Sequence, residues 1–354
     1  MDKIVIQDPF DAHVHFREGN RMQAVVQHTA RQFSCATIMP NTNPFISTVD
    51  DAVRYRDKIL AATPSGTDFR PLMTLYLTPQ LSPDEIRKAK ASGIIHGVKL
   101  YPKGGTTGSH GGVEKLPDVE EQLRVMEEID MKLLMHGETA DQDIDVFERE
   151  ADYYDQAFDW LTINFPKLQI VCEHITTWQA VARVEEAPKH LRIAATITPQ
   201  HLLVNRNDML GRGGIRPHMY CMPILKEQEH QSALLTVATS GNPRVFLGTD
   251  SAPHAQHGDT GKAKETSCGC AGCFTAHAAL EFYAQAFDGV GSGMIERLPD
   301  FAGRFGREFY ELDPVGRSVT LQLEEWRAPE SYSFGDARVV PFMQDVPLSW
   351  KMVT

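Results

Sequence analysis

Eight short apolar or β-branched runs, each followed by a polar loop and then a helix-period segment, constrain this chain more than any other feature. They are residues 4–6 leading into 10–15, then 36–39, 71–77, 97–101, 132–136, 169–173, 192–196 and 245–248. The helical period is clearest over 118–129, where Val119, Leu123, Met126 and Ile129 share a face opposite acidic residues. Residues 50–60 and 231–239 read the same way. Alternation of this kind predicts an α/β fold, a closed (β/α)8 barrel of TIM type with its site at the C-terminal ends of the strands. An open doubly wound sheet is disfavoured, because no glycine-rich dinucleotide fingerprint follows the first strand. No repeat, linker or composition shift marks a boundary, so the expectation is a single barrel domain over 1–354. Residues 289–354 read as helices and strands packing the outside of the barrel.

Charge narrows the partners. There are 35 basic and 47 acidic residues, a formal net charge of −12, and no Lys/Arg run that would track a nucleic acid or an anionic membrane. No stretch approaches the roughly 18 consecutive apolar residues of a membrane span. The opening residues meet acids and histidines before a signal-like run could form, so an unexported cytoplasmic chain is expected. Six cysteines in 354 residues are too sparse for a disulfide scaffold and read as reduced thiols.

The strand ends carry the chemistry. In Asp11-Ala12-His13-Val14-His15, alternation places His13 and His15 on one face, where two imidazoles suit zinc. Alone, such a pair is equally an exposed edge or satisfied core histidines. His136, His174 and Asp250 each close a further apolar strand, where a barrel places its catalytic groups. Lys99 closes the fourth strand. A buried cation among metal ligands would be repelled, whereas its carbamate would be an anion able to give one oxygen to each of two metals. Arg17, two residues beyond His15, offers a bidentate fork to an anionic ligand.

The segments HVHFR, MPNTNP, GVKLYP, LLMHGE, VCEHITT, ITPQHLL, RPHMYCMPILK, GTDSAPHA and CGCAGCF lie in that order between His13 and Phe274. Together they resemble the short, single-domain dihydroorotases of the amidohydrolase superfamily. The resemblance implies a zinc enzyme that reversibly cyclises N-carbamoyl-L-aspartate to L-dihydroorotate in pyrimidine biosynthesis. His13, His15, carbamylated Lys99 (N6-carboxylysine) and Asp250 would hold one zinc, and Lys99, His136 and His174 a second, with a bridging hydroxide. Asp250 would carry the proton. Arg17, Asn41 and His254 would take the substrate carboxylate, and the backbones of Met222 and Ala271 the amide edges of the ring. Thr106 and Thr107 would sit on a lid, in a loop whose flanking Gly-Gly pairs supply freedom to swing. A homodimer is the family habit.

Rival readings are a hydantoinase or dihydropyrimidinase, which generally carries an accessory β-sandwich before the His-x-His strand, and a non-catalytic scaffold relative, which usually lacks ligands. His13 lies almost at the start of the chain, and all the ligand residues are present. Cys268, Cys270 and Cys273 could form a separate zinc site, but no paired fourth ligand is evident, so the segment reads as site lining. His110, His201, His218, His257 and His277 read as surface, capping or supporting groups, and Met126 and Met135 as core.

Overall fold

The computed structural model describes residues 2–211, 213–257, 263–266 and 269–353. Its strands are β1 (Lys3–Gln7), β2 (Phe10–Val14), β3 (Cys35–Ile38), β4 (Arg70–Tyr76), β5 (Ile95–Leu100), β6 (Leu133–His136) and β7 (Ile170–Glu173), followed by β8 (Ile193–Ile197), β9 (Val245–Leu247), β10 (Ser318–Trp326), β11 (Tyr332–Phe334), β12 (Ala337–Val339) and β13 (Leu348–Val353). Strands β2 to β9 pair in parallel in sequence order as one eight-stranded sheet. The ring closes at its mouth, where Asp250 N donates to His13 O (2.9 Å) and His15 N to Ser251 O (3.1 Å).

Both faces of these strands are buried, so they read as continuous apolar runs. Phe10, Ala12, Leu72, Leu134, Val171, Ala194 and Phe246 fill the interior. Their neighbours Leu133, Met135, Ile170 and Ala195 pack outward in the larger core shared with the helices, as does Met126. Helices start where local chemistry directs. Ser82 accepts from Glu85 N (3.1 Å), Pro83 opens the turn, and Gly93 at φ 69° ends it. The 118–129 segment divides into a 3₁₀ turn (Leu116–Val119) and an α-helix (Glu120–Glu128), with Val119, Leu123 and Met126 fully buried.

Two expectations need correction. Residues 4–6 do not lead into the first barrel strand: β1 pairs antiparallel with β10, which pairs with β13. Asp8, at φ 45°, turns the chain between the two sheets, and its carboxylate accepts from Arg317 N (2.9 Å). The burial of β1 alternates along the strand, as in a sheet with one wet face. Residues 289–354 do not only wrap the outside. Phe305 and Tyr310 join the interior cluster with Phe10 and Phe246, closing the end of the barrel where the strands begin. Gly306 permits this approach, since a Cβ there would lie 2.8 Å from the Phe10 ring.

Candidate active site

Strict alternation would not by itself deliver both first-strand histidines to the mouth. Phe10 and Ala12 face the interior, so His13 would point outward. The register of β2 against β3 shifts between Asp11 and Val14, and this irregularity changes the phase. Asp11 anchors the distortion, accepting from His13 N (3.1 Å), Thr249 N (2.8 Å) and Thr249 Oγ1 (2.7 Å). His174 (φ 45°), Asp250 (φ 42°) and Arg17 (φ 62°) all adopt left-handed backbone, a local cost that packing around a site can sustain. The turn at His174 brings adjacent Glu173 and His174 into one cluster with His13.

His13 Nε2, His15 Nε2 and Asp250 Oδ1 form a near-equilateral triangle with sides of 3.2, 3.2 and 3.3 Å. His136 Nδ1 lies 3.2 Å from His174 Nε2. With metal–ligand bonds near 2.0–2.1 Å, ligand atoms on a tetrahedral edge stand about 3.3 Å apart, so both arrangements fit a zinc-sized cation. Two of the other ring nitrogens face carboxylates: His13 Nδ1 lies 3.1 Å from Glu173 Oε1, and His136 Nε2 lies 3.0 Å from Glu138 Oε2, whereas buried His174 Nδ1 has no hydrogen-bond partner among the described residues. Carboxylates behind ligating imidazoles fix their tautomer and orientation.

The buried acids around the cluster favour positive charge among them. Burial opposes charge on His13, yet Glu173 and Asp250 raise its pKa to about 9. Burial takes His15 down to about 4 and His174 well below its ordinary value. Burial opposes ionisation of Asp250 too, but hydrogen bonds from His13 and His15 keep it well below the usual carboxylate range.

Lys99 is fully buried and paired with Glu173. The expectation that an unmodified lysine has no place among these ligands thus meets a counter-ion that sequence reasoning missed. Burial lowers the Lys99 pKa, opposed by Glu173. The signal for Glu173 was an acid beside His174 in VCEH; for Glu138 it was the acid following LLMHG. Tyr101 was also missed: it lines the cavity, and its buried hydroxyl has no hydrogen-bond partner among the described residues.

A cavity of about 30 Å³ is lined by the clustered ligands and by Arg17, Asn41, Thr106, Thr107, Met222, His254 and Ala271. All the expected substrate and lid residues therefore converge. An outer vestibule of about 460 Å³ shares His15, Arg17, Asn41, Thr107 and His254 with it. A larger cavity of about 1020 Å³, bordered by Leu116, Tyr153 and Trp160, holds none of the clustered ligands, so chemistry rather than size locates the site. Arg17 is oriented by its Nε donating to Pro253 O (2.8 Å), and its Nη2 lies 3.1 Å from His254 Nε2. His254 Nε2 is also 2.9 Å from Ala271 O, and Asn41 Nδ2 donates to Thr107 O (3.1 Å).

On the Gly111-Gly112 side of the lid segment, close approach rather than freedom accounts for the glycines, whereas Gly104, at φ 79°, has open space about it. Ser109 organises the segment, with its hydroxyl accepting from Thr106 N (2.9 Å) and its backbone N donating to Thr106 O (3.2 Å). Gly111 and Gly112 are steric necessities, since a Cβ on either would lie 2.3 Å from Phe45 or from Tyr101 O. Of the other histidines, His110 packs against Phe45 and His277 Nε2 faces Phe342 O (3.1 Å). His201 lies in the first turn of a helix capped by Thr198, whose hydroxyl accepts from His201 N (3.3 Å) and lies 2.7 Å from its Nδ1; His218 meets Glu265, and His257 is exposed. Cys35, Cys172, Cys221 and Cys273 are buried free thiols and Cys270 is also buried; Cys268 lies outside the described residues.

Similarity to known proteins agrees with this geometry. The model of the amidohydrolase family matches residues 9–288. A dihydroorotase of Pseudomonas aeruginosa is 48% identical over 352 residues, covering 99% of this chain and 98% of the relative. One of Microcystis aeruginosa is 49% identical over 352 residues, with 99% of each chain covered. The crystal structure of a Saccharomyces cerevisiae dihydroorotase in complex with 5-fluoroorotic acid aligns with a TM-score of 0.90 at 31% identity, covering 100% of this chain and 99% of that one. An L-hydantoinase of Arthrobacter aurescens, at 15% identity and a TM-score of 0.76 over 98% of this chain and 82% of that one, shares the fold alone. With the ligand cluster, the barrel and full-length identity in agreement, the chain belongs to the amidohydrolase family and, within it, to the dihydroorotases.

Proposed function

We propose that this cyclic amide hydrolase is a two-zinc enzyme that interconverts N-carbamoyl-L-aspartate and L-dihydroorotate, working toward ring closure in pyrimidine biosynthesis. The observation that carries the reading is the convergence of Arg17 with the His13, His15 and Asp250 triangle on one cavity. In this reading His13, His15, Asp250 and carbamylated Lys99 hold one zinc, and Lys99, His136 and His174 the other. When bound, the metals polarise the scissile carbonyl and lower the pKa of a shared water.

The chain's own residues do the rest. Arg17 and His254, with Asn41, hold the substrate carboxylate and so aim the ring at the cluster. The backbones of Met222 and Ala271 receive the amide edges of the ring. In the hydrolytic direction Asp250 takes a proton from the attacking water and delivers it to the leaving ring nitrogen; ring closure reverses the path. Thr106 and Thr107 cover the ligand and exclude water. Burial supports carbamylation of Lys99 by favouring the neutral, nucleophilic amine.

Family likeness further supports a cytoplasmic homodimer of single-domain chains, testable by sedimentation. No helix among the described residues is long and apolar enough to cross a membrane. The decisive experiment is metal content per chain combined with turnover of dihydroorotate against neutral dihydrouracil. Two zincs and a strong preference for the acid support the reading; equal rates on both rings refute it.

A further inference from the structure

Lys264 is a buried cation with no part in the mechanism above. Its side chain is 3% exposed, and its ammonium donates to three backbone carbonyls, Tyr220 (2.7 Å), Cys270 (2.9 Å) and Gly272 (3.0 Å). An ammonium has three donors, so all are used. Among the described residues no carboxylate pairs with it.

The three carbonyls belong to two chain segments remote in sequence. One leads into Met222; the other flanks Ala271 on both sides. Carbonyl oxygens aimed at one point repel one another, and the cation is what lets them converge. A single backbone bond, Gly272 N to Tyr220 O (2.9 Å), also ties the segments, and Lys264 is itself anchored by its N donating to Ala255 O (2.9 Å). An apolar side chain of similar length would fill the space without the cost of burying a charge, so the charge serves geometry rather than packing. Its field also reaches His254 and Arg17, at the end of the cavity that receives an anion.

We propose that Lys264 is a positioning residue that sets the spacing between the backbone at Met222 and at Ala271, and so the width of the slot that receives the amide edges of the substrate ring. This rests on the dihydroorotase reading above. Lys264 touches neither the ligand cluster nor the reacting atoms. Its loss acts on ring binding in the ground state as much as in the transition state, which raises KM more than it lowers kcat.

The test compares the metal-loaded parent with Lys264→Met and Lys264→Arg. The readouts are metal content, steady-state turnover of dihydroorotate, and the Kd of orotate, a planar ring acid that is not opened. Lys264→Met should keep its metals while KM and the orotate Kd rise about tenfold or more, as befits hydrogen bonds to a charged group. Lys264→Arg, which still donates to carbonyls, should recover part of the affinity. A general packing defect would instead lower metal content and kcat together, without recovery by arginine, and would overturn the proposal. Unchanged KM and Kd in Lys264→Met beside an active parent would also overturn it. Should Lys264→Met fail to fold, Lys264→Gln carries the same comparison. A metal-loaded parent that neither binds orotate nor turns over dihydroorotate would overturn the functional reading itself, and this proposal with it.

Discussion

Arg17→Met separates anion recognition from metal chemistry. The Nε of Arg17 is committed to Pro253 O at 2.8 Å, and Tyr55 Oη holds the Arg17 carbonyl at 2.7 Å. The guanidinium is therefore fixed, and although Nη2 already lies 3.1 Å from His254 Nε2, each terminal nitrogen carries two protons and so keeps one for a carboxylate. Hydrogen bonds to charged groups contribute about 1.5–3 kcal/mol each, so losing the fork costs about 3–6 kcal/mol. At 1.36 kcal/mol per tenfold, kcat/KM for dihydroorotate should fall about 10² to 10⁴. Methionine removes no metal ligand, so zinc content should not change. Dihydrouracil has the same ring without the carboxylate and should lose little, so the preference between the two rings collapses. Arg17→Lys keeps the charge but not the planar fork and should recover only part of the loss. The assay is initial rate against both rings with metal analysis of each variant. A methionine variant within threefold of the parent on dihydroorotate, with its preference intact, would refute the role given to Arg17.

Four further outcomes are expected. Asp250→Asn should largely retain metal while turnover falls about 10² to 10⁴, because an amide cannot shuttle the proton; near-normal kcat would disprove that assignment. Lys99→Ala should lose most of its metal, with partial rescue by a small carboxylic acid at high concentration; two zincs and full activity would mean no carbamate bridges them. Changing both Thr106 and Thr107 to Ala should leave metal content intact and lower kcat by about tenfold or more, and parent rates with unchanged KM would make the segment an ordinary surface loop. Glu150 is 1% exposed and accepts from Thr176 N and Oγ1, and burial raises its pKa from 4.5 to about 7. The folded state thus holds this proton more tightly than the unfolded chain: the stabilisation is complete below about pH 4.5 and is lost as pH rises through about 7. Denaturation from pH 5 to 8 should show about 3 kcal/mol of this loss in the parent and little of it in Glu150→Gln; equal slopes would refute it.

The eight-unit order, the strand ends that carry His13, Lys99, His136, His174 and Asp250, and the convergence of Arg17 on them were all legible in the chain. Each depends on period and position within a single βα unit, which is local information. Phase and partnership were not local. Alternation could place His13 and His15 together but not aim them inward, because the register against β3 shifts between Asp11 and Val14 and Asp11 is held by Thr249, at the adjoining end of β9 and 238 residues away in sequence. The same holds for Glu173 on Lys99, 74 residues apart in sequence. A glycine pair reads as freedom in a sequence; only the packed Phe45 ring and the Tyr101 carbonyl show that Gly111 and Gly112 are required by close approach. The tertiary structure alone decided that β1 joins a second sheet, that Phe305 and Tyr310 close the barrel floor, and that the Lys264 ammonium gathers three carbonyls. In each case the energy depends on at least one partner far apart in the chain, as Tyr220 is from Lys264, where no sequence period can record it.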